Sequence, residues 1–343
     1  VQSMTKTDTT DVDATVRQIT ELADAGCRIV RVAVRDERAA AALSEIVRQS
    51  PVPIIADIHF DFRLAIMSMD AGAAGVRINP GNIGSTERLA RIVERARQGN
   101  VAIRIGVNSG SVENDLLKKH GGPTPDALVE SAQRSIRLLE GWGYTNIKLS
   151  LKSTSVIDTI AAYRAISVAT DYPLHVGITE AGTVFRGAVK SSVGIGILLA
   201  EGIGDTIRVS LAGNPVFEVI SAYTILSSLG LGGHGAEVIV CPTCGRTSMD
   251  IVSIAEEVER RLLGRDLSIT VAVMGCEVNG PGEAKEADVG ICGGKGYGLL
   301  FRKGKIVRKL REAEMVDALM EEIEKTAATG SRGPARPGAS GKE

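Results

Sequence analysis

The feature that most limits what this chain can become is a rhythm. From residue 29 to about residue 211 one unit recurs: a β-branched run of five to seven residues, a polar or glycine-rich turn, then a segment with helical spacing of its apolar residues. Alternation of this kind builds parallel βαβ units, because a parallel neighbour can be reached only through a crossover long enough to return to the same end of the sheet. Strands are predicted over residues 29–34, 52–58, 75–79, 101–107, 146–151, 174–179 and 206–211, with residues 1–4 as the stump of another. Helices are predicted over 11–25, 37–49, 62–71, 86–98, 125–140, 156–169, 188–201 and 215–229. Eight strands alternating with eight helices is the arithmetic of an α/β TIM barrel. The alternative, a doubly wound open sheet, would carry a glycine-rich phosphate turn after its first strand, and no glycine lies between Ser3 and Asp11.

Residues 230–236 contain four glycines and read as a linker, after which the rhythm changes. Strands over 238–240, 267–273 and 289–292, helices over 249–263 and 312–327, and a hairpin over 299–307 turning at Lys303-Gly304 describe a small α+β domain. The expected division is therefore a substrate-binding barrel at 1–230, a second domain at 236–328, and a disordered tail at 329–343, where Gly, Pro, Ser and charge follow no period.

Side chains alternate faces along a strand, so one parity of each barrel strand points inward. The polar residues fall on a single parity: Arg31 with Ala33, Asp57 with His59, Arg77 with Asn79, Arg104 with Gly106 and Asn108, Lys148 with Ser150 and Lys152, Arg208 with Ser210. A net charge of -1 over the whole chain gives no general attraction to nucleic acid or to an anionic membrane, which makes a local concentration of cations more informative. One such residue is explained by pairing across the barrel or by a strand end. Six strands together point to a di- or polyphosphorylated small substrate, because burying several guanidinium and ammonium groups is costly without anionic partners. Glu180, in Gly177-Ile178-Thr179-Glu180-Ala181-Gly182, stands just past the seventh strand as a general acid or base, or as a helix cap.

Five cysteines are too few and too unevenly spaced for a secreted disulfide framework. With no signal peptide at the start, and a longest apolar stretch at 193–200 that is far short of the ~18 residues of a membrane span, a cytoplasmic location is expected. Cys241 and Cys244 form a C-x-x-C after one strand, and Cys276 ends the next. Three thiols at strand ends suit half a zinc site, a redox dithiol or an iron–sulfur site. A closed zinc site would need a fourth ligand from Cys292, His234 or a carboxylate, whereas three thiolates with one weak oxygen ligand, such as Glu283 on its Gly-Pro-Gly turn, suit a 4Fe-4S cluster with one labile iron. Cys27 and Cys292 are expected in the core.

The segments CPTCGR, MGCEVNGPGEA, ADIHFDFRLA, VRINPGNIG, IRIGVNSGS, LHVGITEAG and EGIGDTIRVSLA closely resemble those of the bacterial 4-hydroxy-3-methylbut-2-enyl diphosphate synthases of non-mevalonate isoprenoid synthesis, over nearly the whole chain except its tail. The resemblance implies a 4Fe-4S cluster on Cys241, Cys244, Cys276 and Glu283. It implies diphosphate binding by Arg31, His59, Arg77, Arg104, Lys152, Arg208 and Ser210, and a substrate contact from Asn108. It also implies an acid/base role for Glu180, with Asn279 brought in beside the cluster. The implied reaction is two-electron reductive ring opening of 2-C-methyl-D-erythritol 2,4-cyclodiphosphate with loss of water, with electrons from flavodoxin or ferredoxin. The implied assembly is a head-to-tail homodimer in which the cluster domain of one subunit closes over the barrel of the other. Three points bear on the match. Such enzymes carry further residues before Val1, so most of the first barrel strand is expected to be missing; the usual Gly-Gly after Glu-Ala becomes Gly182-Thr183-Val184-Phe185-Arg186, which alters the lid over Glu180; and the lack of a large insert implies the two-domain form. The competing readings are a barrel transferase or aldolase with a zinc-stapled second domain, and a non-catalytic phosphometabolite-binding protein.

Overall fold

The computed structural model describes residues 1–232, 235–247, 249–265, 267, 269–277, 284–294 and 296–328. The chain divides into two compact units, Val1–Ile225 and Leu226–Glu343.

The first unit runs β1 (Gln2–Met4), α1 (Val12–Asp24), β2 (Ile29–Ala33), α2 (Glu37–Gln49), β3 (Ile54–Asp57), α3 (Phe62–Asp70), β4 (Gly75–Ile78), α4 (Pro80–Ile83), α5 (Thr86–Gly99) and β5 (Ala102–Asn108). It continues with α6 (Asn114–His120), α7 (Pro125–Gly141), β6 (Ile147–Lys152), α8 (Val156–Ala169), β7 (His175–Val176), α9 (Val184–Ala200), β8 (Thr206–Ile207) and α10 (Val216–Ser228), the last crossing into the second unit. Strands β1 to β6 form one parallel sheet in chain order, a Leu149–Leu174 bridge carries it on to β7, and β7 pairs with β8. Arg104 Nη1 on β5 donates to Gln2 Oε1 on β1 at 2.9 Å. Strands four places apart can touch through their inward side chains only if the sheet curls round a common interior, which is the barrel geometry. The seam between β8 and β1 is held by side chains: Lys6 Nζ reaches Leu211 O at 2.6 Å, and Ser3 Oγ donates to Glu218 Oε2 of α10 at 2.8 Å.

Several turns into helices carry their own start signal. The side chains of Asp11, Asp36, Asp61, Ser85, Thr124 and Ser155 accept from amides of the first turns of α1, α2, α3, α5, α7 and α8, satisfying donors that a helix leaves unpaired. Packed between helices and sheet are Leu22, Val30, Leu43, Ile46, Ile92, Ile103 and Leu139, all fully buried, each contributing roughly 1.5–3 kcal/mol of apolar burial.

The structure departs from the sequence expectations in four places. Helices α4 and α6 were not anticipated, being single-turn or two-turn insertions too short to show a period. The ladders of β7 and β8 stop at Val176 and Ile207, because the chain beyond them leaves the sheet to form the mouth that carries Glu180 and Ser210. Helix α9 begins at Val184 rather than at residue 188, so Val184–Arg186, expected in a lid, form its first turn. The strand expected over 267–273 is ordered as β10, Thr270–Met274.

The second unit holds β9 (Glu237–Val240), α11 (Ile251–Leu262), β10 (Thr270–Met274), β11 (Val289–Gly294), β12 (Tyr297–Arg302), β13 (Lys305–Leu310) and α12 (Met315–Ala328). Its sheet has the order β13-β12-β11-β10-β9, parallel from β9 to β11 and antiparallel beyond. The hairpin turns at Lys303-Gly304 as expected, both residues having the positive φ (46° and 72°) that a two-residue hairpin loop matched to strand twist requires. Val271, Val273, Val289, Ile291 and Leu300 pack with α11 and α12 on one face. The alternate residues Ala272, Met274, Cys292 and Phe301 pack on the other face with Ala284 and Ala287. Both cysteines assigned to the core, Cys27 and Cys292, are buried. The tail at 329–343 and the residues Asn279, Glu283 and His234 lie outside the described residues.

Candidate active site

Inside the barrel the inward parity holds. Arg31, Arg77, Arg104, Lys152 and Arg208 line one interior, and the carboxylates that meet them are Asp57 and Glu218. Asp57 is the hub: Arg31 Nε lies 3.6 Å, Arg77 Nη1 3.4 Å and His59 Nε2 3.5 Å from its oxygens. Burial alone would raise the Asp57 carboxyl, but Arg31, the His59 hydrogen bond and Arg77 outweigh it and hold the group well below the usual carboxylate range. Glu218 enters from α10 and accepts from Arg208 Nε at 3.3 Å and from the Leu211 amide at 3.1 Å.

The cations themselves are under strain. Burial, opposed by Asp57, brings Arg31 down to about 10. Burial and then Arg31 and Arg77 push Arg104 well below the ordinary arginine range, and its Nε has no hydrogen-bond partner among the described residues. Burial and then Arg104 and Arg208 do the same to Lys152. A group of buried like charges with so few counter-ions favours an anion of two or more negative charges in its midst.

Two glycines make the cage possible. A Cβ on Gly106 would stand 2.4 Å from Arg77 Nε, and one on Gly177 would stand 2.8 Å from Lys152 Nζ and 2.4 Å from Arg208 O. At these inward positions the strand backbone itself is the surface on which the cations lie. Gly106→Ala is therefore expected to displace Arg77 from Asp57, raising the KM for substrate by about tenfold at a stability cost of about 1–3 kcal/mol. Steady-state kinetics alongside thermal unfolding checks this, and an unchanged KM would remove Gly106 from the design of the site.

Of the other residues predicted for the site, Asn108 ends β5 beside Lys152 and, with its amide oriented to satisfy both ends, accepts from Arg77 Nη2 at 3.1 Å. His59 is half exposed above Asp57, and Ser210 is half-buried past the end of β8. Glu180 is exposed in the loop after β7 with φ at +51°, a left-handed conformation that costs a non-glycine residue about 1–3 kcal/mol. The cap of α9 is Thr183, so the helix-cap explanation of Glu180 does not apply.

His175 was missed by sequence reasoning. It is fully buried on β7, its Nδ1 lies 2.9 Å from Thr206 Oγ1, and its Nε2 has no partner among the described residues. Burial and then Arg104 and Lys152 keep it neutral, well below the ordinary histidine range. The available signal was its parity with Gly177 in the predicted strand.

In the second unit Cys241 follows β9 and Cys276 lies two residues past the end of β10, its parallel neighbour. Cys241 packs toward the face opposite the two helices, where Met274 and Cys292 lie. The Gly275 amide donates to Cys241 Sγ at 3.0 Å, the kind of N–H···S contact that stabilises a sulfur ligand in its anionic form. Cys244 is exposed three residues on. Among the described residues no three of the Cys, His, Asp and Glu side chains stand close enough together to hold one ion. Two thiols at one edge of adjacent strands, a third in the same loop and an amide aimed at sulfur make a donor set whose chemistry fits an iron–sulfur group.

The family described as the GcpE TIM-barrel domain matches residues 1–223, and that described as the GcpE protein C-terminal domain matches residues 237–325. The chain belongs to the GcpE family. Relatives named 4-hydroxy-3-methylbut-2-en-1-yl diphosphate synthase (flavodoxin) align along almost their full length. The one from Geobacter sulfurreducens is 58% identical over 325 residues, covering 95% of this chain and 92% of the relative. Those from Maridesulfovibrio salexigens and Clostridium perfringens are 57% and 55% identical, covering 94% of this chain in each case and 91% and 93% of the relatives. For a GcpE chain the barrel is the expected fold of the first unit, and no described helix is long and apolar enough to cross a membrane.

Proposed function

We propose that this GcpE chain converts 2-C-methyl-D-erythritol 2,4-cyclodiphosphate to 4-hydroxy-3-methylbut-2-enyl diphosphate by two-electron reductive ring opening with loss of water. The observation that carries this reading is the under-compensated cation cage of Arg31, Arg77, Arg104, Lys152 and Arg208 round Asp57, in a chain more than half identical to enzymes named for this product. Flavodoxin, for which the relatives are named, or a ferredoxin supplies the electrons.

The buried guanidinium groups and Lys152 take the diphosphate, with Ser210, Asn108 and His59 contacting it from the rim. Anion binding relieves the mutual repulsion that depresses Arg104 and Lys152, so the cage binds charge that it cannot find within itself. Asp57 holds Arg31 and Arg77 in place rather than meeting the anion. Cys241, Cys244, Cys276 and Glu283 would hold a 4Fe-4S cluster, which when bound supplies single electrons and a Lewis-acidic iron. Glu180, exposed in the loop after β7, delivers a proton to the oxygen that leaves as water, and Asn279 joins the site with the cluster-bearing unit.

The domains are a substrate-binding barrel at 1–230 and a cluster domain at 236–328, followed by a tail at 329–343. The working assembly is a cytoplasmic homodimer with each site shared between subunits. Full-length protein reconstituted anaerobically is expected to be brown, to hold about four iron and four sulfide per chain, and to form the allylic diphosphate from the cyclodiphosphate with a reducing dye. One zinc and no iron, with no turnover, would overturn the proposal in favour of the zinc-stapled reading.

A further inference from the structure

Charge on the second unit is unevenly spread. Its helices carry paired arginines: Arg260 and Arg261 meet Glu257, and Arg265 meets Glu324. The β12–β13 hairpin is different. Residues 302–311 hold six cations, Arg302, Lys303, Lys305, Arg308, Lys309 and Arg311, and no acid, in a chain whose net charge is -1. Arg302 pairs with Glu322 and Arg311 with Glu314, but Lys303, Lys305, Arg308 and Lys309 have no ion pair among the described residues. Strand β13 is the edge of its sheet, exposed from Lys305 to Lys309, and Ile306 and Val307 stand 57% and 50% exposed between the cations. Lysines on an edge strand block pairing with another sheet, and that alone would explain one or two of them. Two large apolar side chains left open in their midst work against that purpose. An apolar centre ringed by charge of one sign is instead the composition of a docking face.

The hairpin also leads to the cysteines. The ladder sets Lys309 beside Leu299, Leu299 beside Cys292 and Cys292 beside Met274, so that one cross-strand row shares a face. Cys241 directly follows Val240, the partner of Val273, and packs on that face with Cys292 and Leu299, opposite α11 and α12. At the same end of the sheet Lys309 Nζ lies 3.5 Å from the centroid of the Tyr297 ring, and the Tyr297 hydroxyl donates to Glu277, the residue after Cys276. At ~4.8 Å between neighbouring strands, β13 stands roughly 14 Å from β10. A redox carrier seated on β13 is thus close to the loop that bears Cys276, with an aromatic ring and a hydrogen bond on the way. Charge attraction through a small face gives fast arrival and ready departure, which suits a carrier that must leave after each delivery.

We propose that the β12–β13 hairpin is the docking face for the electron donor, a flavodoxin that presents carboxylates around its flavin. The inference rests on the proposed function for the identity of the donor. Each docking passes one electron, the flavodoxin being oxidised by one, and two dockings supply the pair that the ring opening consumes. The test compares the full chain, reconstituted anaerobically, with its Lys305→Glu/Arg308→Glu and Arg308→Gln/Lys309→Gln variants. Flavodoxin binding is read by titration calorimetry at low salt, and turnover is read with reduced flavodoxin and separately with a small reducing dye. The charge-reversed variant is expected to bind flavodoxin at least about tenfold more weakly and to show a KM for flavodoxin raised by the same factor, with dye-driven turnover within about twofold of wild type. Salt should weaken binding by the wild type far more than by this variant. The neutralised variant is expected to lose about threefold in affinity, and decides the matter if the charge-reversed one fails to fold. Equal flavodoxin affinity in wild type and variants, or dye-driven turnover that falls as far as flavodoxin-driven turnover, overturns this face. A wild type that turns over with dye but does not bind flavodoxin overturns the donor and the face together, leaving the reaction in place. A wild type inactive with dye overturns the proposed function, and the calorimetry still decides the face.

Discussion

Glu180→Gln is expected to lower kcat by about 10²–10⁴, with iron content and the KM for the cyclodiphosphate nearly unchanged. The substitution keeps the size of the side chain and its hydrogen-bonding reach and removes the transferable proton. The backbone makes the expectation specific. Glu180 sits at φ +51° between β7 and Gly182, in a conformation that favours glycine, and it does not cap α9. Among the described residues it makes no hydrogen bond or ion pair that would account for this conformation, which is the reason to test it for a role in the chemistry. A companion variant, Glu180→Gly, is expected to be equally inactive yet about 1 kcal/mol more stable, since glycine adopts this φ without cost. Single-turnover kinetics on reconstituted enzyme, with thermal unfolding of each variant, gives both readouts. A kcat within tenfold of wild type for Glu180→Gln would take Glu180 out of the mechanism.

Cys276→Ala is expected to abolish turnover by preventing the protein from retaining iron. Loss of one thiolate of three leaves a ligand set unable to hold a 4Fe-4S cluster, while the fold survives, because Cys276 lies beyond the ladder of β10 and its replacement deletes one atom. The informative control is Cys292→Ala. Cys292 is fully buried within β11 among Ala272, Met274 and Phe301, and burial, then Glu277 and Cys276, push its thiol up to about 11. That variant should lose about 1 kcal/mol of stability from the small cavity and keep its iron and colour. Iron and sulfide analysis after anaerobic reconstitution separates the two, and equal iron in wild type and Cys276→Ala would refute the ligand assignment.

Much of this was legible before any coordinates. The βα alternation is a local property, carried by runs of β-branched residues and by helical spacing of apolar ones, so the eight strands and the eight longer helices followed from neighbouring residues. Inward parity is equally local. Once residues 102–108 are a strand, Arg104, Gly106 and Asn108 must share a face. Helix α6 and the early start of α9 were not legible: the first spans too few turns to show a period, and the second begins in a segment whose glycine and threonine read as loop.

Parity says that Arg31, Asp57, Arg77 and Arg104 face inward, but not that Asp57 ties two of them together, that Glu218 reaches in from a helix, or that Arg104 finds Gln2 across the barrel. Those pairings join residues as far apart as 215 positions in the chain, and they follow from curvature and register that no window of sequence contains. The two glycines show the division most clearly. In sequence Gly106 shares the inward parity of Arg104 and Gly177 opens the segment that carries Glu180, and in space they are the floor on which Arg77 and Lys152 rest. The kinds of residue at the site were thus set by local pattern. Their charge balance was set by which side chains the curled sheet brings into contact.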